Sequence, residues 1–158
     1  MTLEVKQKLQ TELDELEAEL RIHLPKEIKR AREFGDLREN SEYQTALQRQ
    51  TMVKARIREL RQRISEVGSI DLSKVPHDKV GYGSTVVLYD GQRDEEVTYR
   101  LVIPEESDPP AGMISTVSPV GRSLMGKEPG DEVTVTTPAG SRRFEIKELK
   151  TLHDDAKS

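Results

Sequence analysis

The chain has 158 residues and a net charge of −4. It contains no Cys and no Trp, and charged and hydrophobic residues each make up 34% of it. That length suits one ordinary domain or two small ones, and so charged a composition argues against a single large core. Without Cys, a disulfide framework, a thiolate metal site and a cysteine nucleophile are all excluded. The opening Met1-Thr2-Leu3-Glu4-Val5-Lys6 lacks the apolar run of a signal peptide, and no stretch is long enough to span a membrane. A cytoplasmic protein without membrane association is expected. Charge is unevenly placed: residues 1–68 carry 14 basic and 13 acidic groups, and residues 69–158 carry 11 and 16. Two modules are implied.

In the first module, apolar residues recur at Leu9, Leu13, Leu16, Leu20, Leu24, Ile28 and Ala31. After a bend they recur at Ala46, Val53, Ile57, Leu60, Ile64 and Val67. Spacings of three and four predict two helices packed along a seam, each reaching roughly 45 Å at 1.5 Å per residue. Pro25 should kink or break the first arm. Folding back near residue 37 sets Glu12, Asp14, Glu15, Glu17 and Glu19 against Lys54, Arg56, Arg58, Arg61 and Arg63, a charge pairing that fixes orientation. Nearer the bend, Lys26, Lys29, Arg30, Arg32, Arg38 and Arg49 face no comparable acidic block. They can meet phosphate, or simply form a solvated helix face.

The bend, Arg32-Glu33-Phe34-Gly35-Asp36-Leu37-Arg38-Glu39-Asn40-Ser41-Glu42-Tyr43, is rich in carboxylates. Mg2+ takes oxygen ligands, commonly one or two carboxylates together with water and substrate phosphate, and Asp36 and Glu39 offer such a pair. The structural alternative is Gly35 as a helix C-terminal cap and Asp36 to Glu39 as a capping box opening the next helix. A second box, Ser41 to Gln44, would instead leave Asp36 to Glu39 on a loop.

Residues 69–79 read as a linker, leaving a second module over 80–158. Strands are predicted at 84–89, 96–103, 113–117, 132–136 and 143–149, punctuated by the turns Asp90-Gly91, Pro129-Gly130-Asp131 and Pro138-Ala139-Gly140. Between the third and fourth strands, Ser118 as N-cap and Pro119 at the first position predict a short helix running to Gly126. Leu124 and Met125 suit its core face, while Val120 and Arg122 suit an exposed one. This is an α+β module. His23, His77 and His153 are scattered, with no triad arrangement and no glycine-rich phosphate loop.

The stretch Ala31 to Tyr43 closely resembles the tip signature of the Gre transcript-cleavage factor family. Ser118 to Lys127, and Gly130-Asp131 followed by Val133 to Gly140, resemble that family's C-terminal module. The resemblance implies an antiparallel coiled coil at 1–68 and an FK506-binding-protein-like domain at 80–158. It implies docking on bacterial RNA polymerase through Ser118, Pro119, Val120, Gly121 and Arg122, with the coiled coil in the secondary channel. By the same resemblance Asp36 and Glu39 act in trans in the polymerase's active centre and hold a Mg2+ shared with it. No cofactor is expected in the free protein, a monomer. Arg32, Arg38, Tyr43 and Arg49 would contact the nascent RNA 3′ end, although Tyr43 equally suits the start of the second helix's seam. Phe34, Ser41 and Pro25 depart from the family's usual pattern.

Three rival functions compete with this one. An inhibitory homologue of the same fold is disfavoured by the intact acidic pair. An autonomous nuclease or prolyl isomerase is disfavoured because two carboxylates are too few to hold a metal alone, and because two Phe and four Tyr are too few to line an isomerase pocket. A pure scaffold would not need the tip motif.

Overall fold

A computed structural model describes residues 2–33, 37–138 and 140–157; of these, 2, 37–39, 137 and 155–157 are described by backbone alone. The chain divides into two compact units, Met1–Ile70 and Asp71–Ser158.

The first unit is helical, with α1 Thr2–Ala18, α2 Leu24–Arg32 and α3 Leu37–Gly68. At 1.5 Å per residue, the 32 residues of α3 extend about 48 Å. Leu13 and Leu24 pack against Val53, Ile57 and Leu60, with Leu9, Leu16, Leu20 and Ile64 partly buried around them. The seam of α3 is more regular than its apolar residues alone suggest. Tyr43 and Gln50 are also half-buried and in phase, completing the series 43, 46, 50, 53, 57, 60, 64, 67.

Pro25 neither breaks the first arm nor leaves it regular. Between α1 and α2 runs a π-helical turn, Glu19–His23, in which the Leu24 N–H donates to the Glu19 carbonyl. Ala18, His23 and Leu24 all keep right-handed helical dihedrals. The cause lies partly in Pro25, which has no N–H to continue the ladder and whose ring crowds the preceding turn. It also lies in the spacing. From Leu16 through Leu20 and Leu24 to Ile28 the apolar steps are four, four and four, and at about 100° per residue they drift roughly 120° around an ideal α-helix. One extra residue in a π turn takes back about 100°, returning Leu24 and Ile28 to the side facing α3.

The charge pairing is partly as expected. Arg56 reaches Glu12 (2.8 Å) and Arg61 reaches Glu17 (2.8 Å), whereas Arg63 contacts Glu66 on its own helix. Arg49, expected to lack an acidic partner, has one: its Nε and Nη2 donate to the two carboxylate oxygens of Glu19 at 2.7 and 2.8 Å.

The second unit holds a five-stranded mixed sheet of β1 Thr85–Asp90, β2 Glu95–Val102, β3 Met113–Ser115, β4 Glu132–Thr137 and β5 Gly140–Lys150, in the order β3-β2-β1-β5-β4. All neighbours are antiparallel except β2 and β3. Strict alternation in β1 buries Val86, Leu88 and Asp90 on one face. The core adds Leu101, Val133, Val135, Phe144 and Ile146. Against it lies the short helix α4, Pro119–Leu124, whose Leu124 is fully buried. A last helix, α5 Leu152–Lys157, ends the chain. Residues 71–79, expected as linker, join this unit: Val75 is buried, and its carbonyl lies 2.7 Å from Nε2 of His153. The α+β expectation, long helical arms followed by a curled sheet with a short helix, describes the fold.

Candidate functional site

Two regions, one in each unit, carry the predicted site residues. At the tip, α2 ends at Arg32 and α3 opens at Leu37. Asp36 lies outside the described residues. Arg38 and Glu39 lie in the first turn of α3. With α3 starting at Leu37, Ser41 is an exposed residue inside the helix and not its N-cap. Among the described residues no group of three His, Asp or Glu is arranged to hold a metal.

Behind the tip, Arg32 is exposed and lines a groove with Pro25, Ile28, Lys29, Glu33 and Gln50. A second groove runs past the buried Ala31 and Ala46, with Arg30, Glu42 and Arg49 on its sides. The small seam residues Ala31 and Ala46 leave that groove open where leucines would close it. Tyr43 is half-buried on the seam, as its structural reading predicts. Arg49 is already committed. Its bond to Glu19 holds that carboxyl below the usual carboxylate range, against a smaller opposing effect of burial, and raises Arg49's own pKa.

In the second unit, Ser118 caps α4 as predicted: its Oγ accepts from the Gly121 N–H (3.0 Å) and donates to the Ser115 carbonyl (2.7 Å). Pro119 occupies the first turn, where its missing N–H costs nothing. Gly121 is buried, and a Cβ there would sit 2.0 Å from the Ser115 carbonyl oxygen, so only glycine lets α4 approach β3 this closely. Val120 is only half on the surface and packs against the core, while Arg122 is exposed. Met125, read as a core residue, is 36% exposed, and Val117, unremarked in the sequence, is 53% exposed. The surface around α4 therefore consists of Val117, Pro119, Arg122 and Met125 more than of Val120. Val117 could have been found from its place directly before an N-cap, where the chain leaves the sheet.

Set beside known proteins, residues 1–68 match the family model described as Transcription elongation factor, N-terminal, and residues 75–151 match Transcription elongation factor, GreA/GreB, C-term. The chain belongs to the GreA/GreB transcription elongation factor family. Among its relatives, Transcription elongation factor GreA of Desulfotalea psychrophila is 47% identical over 151 residues, covering 96% of this chain and 94% of that protein. The GreA of Vibrio parahaemolyticus is 44% identical over 153 residues, with 96% and 97% covered. A solved structure, GreA factor homolog 1 (Gfh1) of Thermus thermophilus, aligns at 27% identity with a TM-score of 0.43, covering 91% of this chain and 93% of that one. Membership of the GreA/GreB family rests on the sequence matches. No described helix is long and apolar enough to cross a membrane.

Proposed function

We propose that this protein is a bacterial transcription elongation factor that binds RNA polymerase through the α4 surface, extends its helical arms into the secondary channel, and stimulates cleavage of backtracked nascent RNA. The observation that carries the reading is that both halves of the chain match the family, in order, with relatives aligned over nearly their whole length.

In this reading the protein is an accessory factor, not an enzyme, and works as a monomer in the cytoplasm. Asp36 and Glu39 would hold a Mg2+ ion jointly with the polymerase. They fit as a donor set because carboxylate oxygens suit this hard cation, and Glu39 lies in the first turn of α3. When bound, Mg2+ supplies charge stabilisation to the scissile phosphate and lowers the pKa of an attacking water. The chain's own contribution is to deliver two carboxylates to that point on a stiff pair of helices. Arg32 and Arg38 would attract the RNA backbone, and the Tyr43 ring would stack on the extruded 3′ end.

Two carboxylates alone hold Mg2+ poorly, since the ion dehydrates reluctantly and needs phosphate or further ligands. The free protein is therefore expected to show no calorimetric Mg2+ binding at low millimolar concentration and no cleavage of naked RNA, with cleavage appearing once a backtracked polymerase complex is added. Tight Mg2+ binding or polymerase-independent cleavage would overturn the accessory role. Polymerase binding that suppresses cleavage would identify an inhibitor.

A further inference from the structure

Building on the elongation-factor reading above, we propose that Glu19 and Arg49 are positioning residues: their bidentate pair fastens the π turn to α3 and so fixes the register in which α2 carries the tip.

The need for a fastening comes from the turn itself. A π turn is rare, occurs as a single-turn bulge inside an α-helix, and its extra residue shifts the phase of the helix that follows. None of its five residues, Glu19–His23, is fully buried: Leu20 is only partly buried against the seam and Ile22 is 41% exposed, so packing holds the turn less firmly than it holds the flanking Leu13 and Leu24. Any slip of the turn toward regular helix would rotate everything after it by about 100°, and Arg32, the last residue of α2, leads directly into the tip.

The pair sits where that slip must be resisted. Glu19 is the first residue of the turn, and its backbone carbonyl accepts the wide Leu24 N–H bond. Its side chain takes both an Nε and an Nη2 hydrogen bond from Arg49, at 2.7 and 2.8 Å. A fork of two parallel bonds restricts orientation as well as distance, which a single lysine contact would not. The other cross-seam pairs, Arg56 with Glu12 and Arg61 with Glu17, attach to α1 and lie on the far side of the turn from the tip. Neither of them restrains α2 directly. With side chains 47% and 26% exposed, the Arg49–Glu19 pair contributes little to overall stability, so its effect should be local.

The test uses the full chain with Glu19→Gln, with Arg49→Gln, and with the exchange Glu19→Arg plus Arg49→Glu. Two readouts are taken: amide hydrogen exchange of residues 24–33 in the free protein, and the cleavage rate of a backtracked polymerase complex at saturating factor. Both single variants should raise exchange over 24–33 and lower the saturating rate equally, about two- to five-fold as expected for an exposed pair, with polymerase affinity unchanged. The exchanged pair should restore both. If Arg49→Gln slows cleavage while Glu19→Gln does not, or the exchanged pair stays slow, Arg49 touches RNA directly and the proposal fails. Unchanged hydrogen exchange in both single variants also overturns it. A wild-type protein that stimulates no cleavage would sink the functional reading instead, and hydrogen exchange would still decide the fastening.

Discussion

Arg142 donates from Nη2 to Oδ2 of Asp90 at 2.7 Å, joining β5 to the end of β1 through a carboxylate only 4% exposed. The same carboxylate accepts from the backbone N–H groups of Gln92 and Arg93, closing the turn after β1, and the Arg142 guanidinium lies 4.9 Å from the centre of the Phe144 ring. The Arg142 bond, aided by the two backbone donors, holds the Asp90 pKa below the usual carboxylate range despite burial.

A carboxylate whose folded-state pKa is depressed stabilises the fold above its unfolded pKa, about 3.9 for Asp. That stabilisation is lost as pH falls through the folded value. Thermal unfolding of the second unit should therefore be insensitive to this pair from pH 5 to 7 and weaken below about pH 4. Arg142→Gln should lower the unfolding temperature at neutral pH and flatten the acid limb, because Asp90 then titrates nearer its unfolded value. An unchanged acid limb in the variant would assign the pH dependence to other carboxylates.

The π turn makes a prediction in which two changes offset each other. Deleting Ile22 resets the apolar spacing from Leu9 to Ala31 to alternating fours and threes, so α1 and α2 could join as one regular helix. It would also force Pro25 into the interior of that helix, at about 3 kcal/mol. The deletion alone should destabilise the helical unit, Pro25→Ala alone should change stability by less than about 1 kcal/mol because the turn already relieves the clash, and the two together should recover or exceed wild-type stability. Calorimetric unfolding of the three variants checks this. Equal destabilisation in the deletion and the double variant would remove Pro25 from the explanation.

Around α4, Val117→Asp and Arg122→Glu change exposed side chains and should weaken polymerase binding with the unfolding temperature preserved. Val120→Asp is a poorer probe, since Val120 also packs on the core. Gly121→Ala forces a Cβ onto the Ser115 carbonyl and should destabilise the unit by about 1–3 kcal/mol or more, as overpacking does. Binding titrations beside melting curves separate the two effects; full affinity in both surface variants would move the docking face elsewhere.

Much of this architecture was legible because it is written in local periods. Alternation in Thr85–Asp90 and the Ser118-Pro119 cap are short-range signals, and both elements form within a residue or two of the prediction. That the acidic run of the first arm faces the basic run of the second followed from simple folding back of the chain, although the individual pairs, Glu12–Arg56 and Glu17–Arg61, did not. What escaped depends on cancellation or on distance along the chain. The run of fours from Leu16 to Ile28 reads as ordinary helix until its drift is summed, so the π turn and the Glu19–Arg49 pair were missed. Gln50 was passed over because a polar residue hides the seam it completes. Asp90 announced a turn, but its partner Arg142 lies 52 residues away in sequence, and no local pattern links them. The acidic pair Asp36 and Glu39 rests on the tip motif alone, and the start of α3 adds only that Glu39 lies in a first helical turn.

The most direct test of the central claim is the rate of RNA cleavage in a backtracked polymerase complex with wild-type protein, Asp36→Asn, Glu39→Gln and the double variant, alongside competition binding. Each substitution keeps shape and removes charge, so the single variants should lose most stimulated cleavage and the double variant all of it, at near wild-type affinity for polymerase. Wild-type stimulation should rise with Mg2+ concentration. A double variant that still cleaves at the wild-type rate would contradict the account.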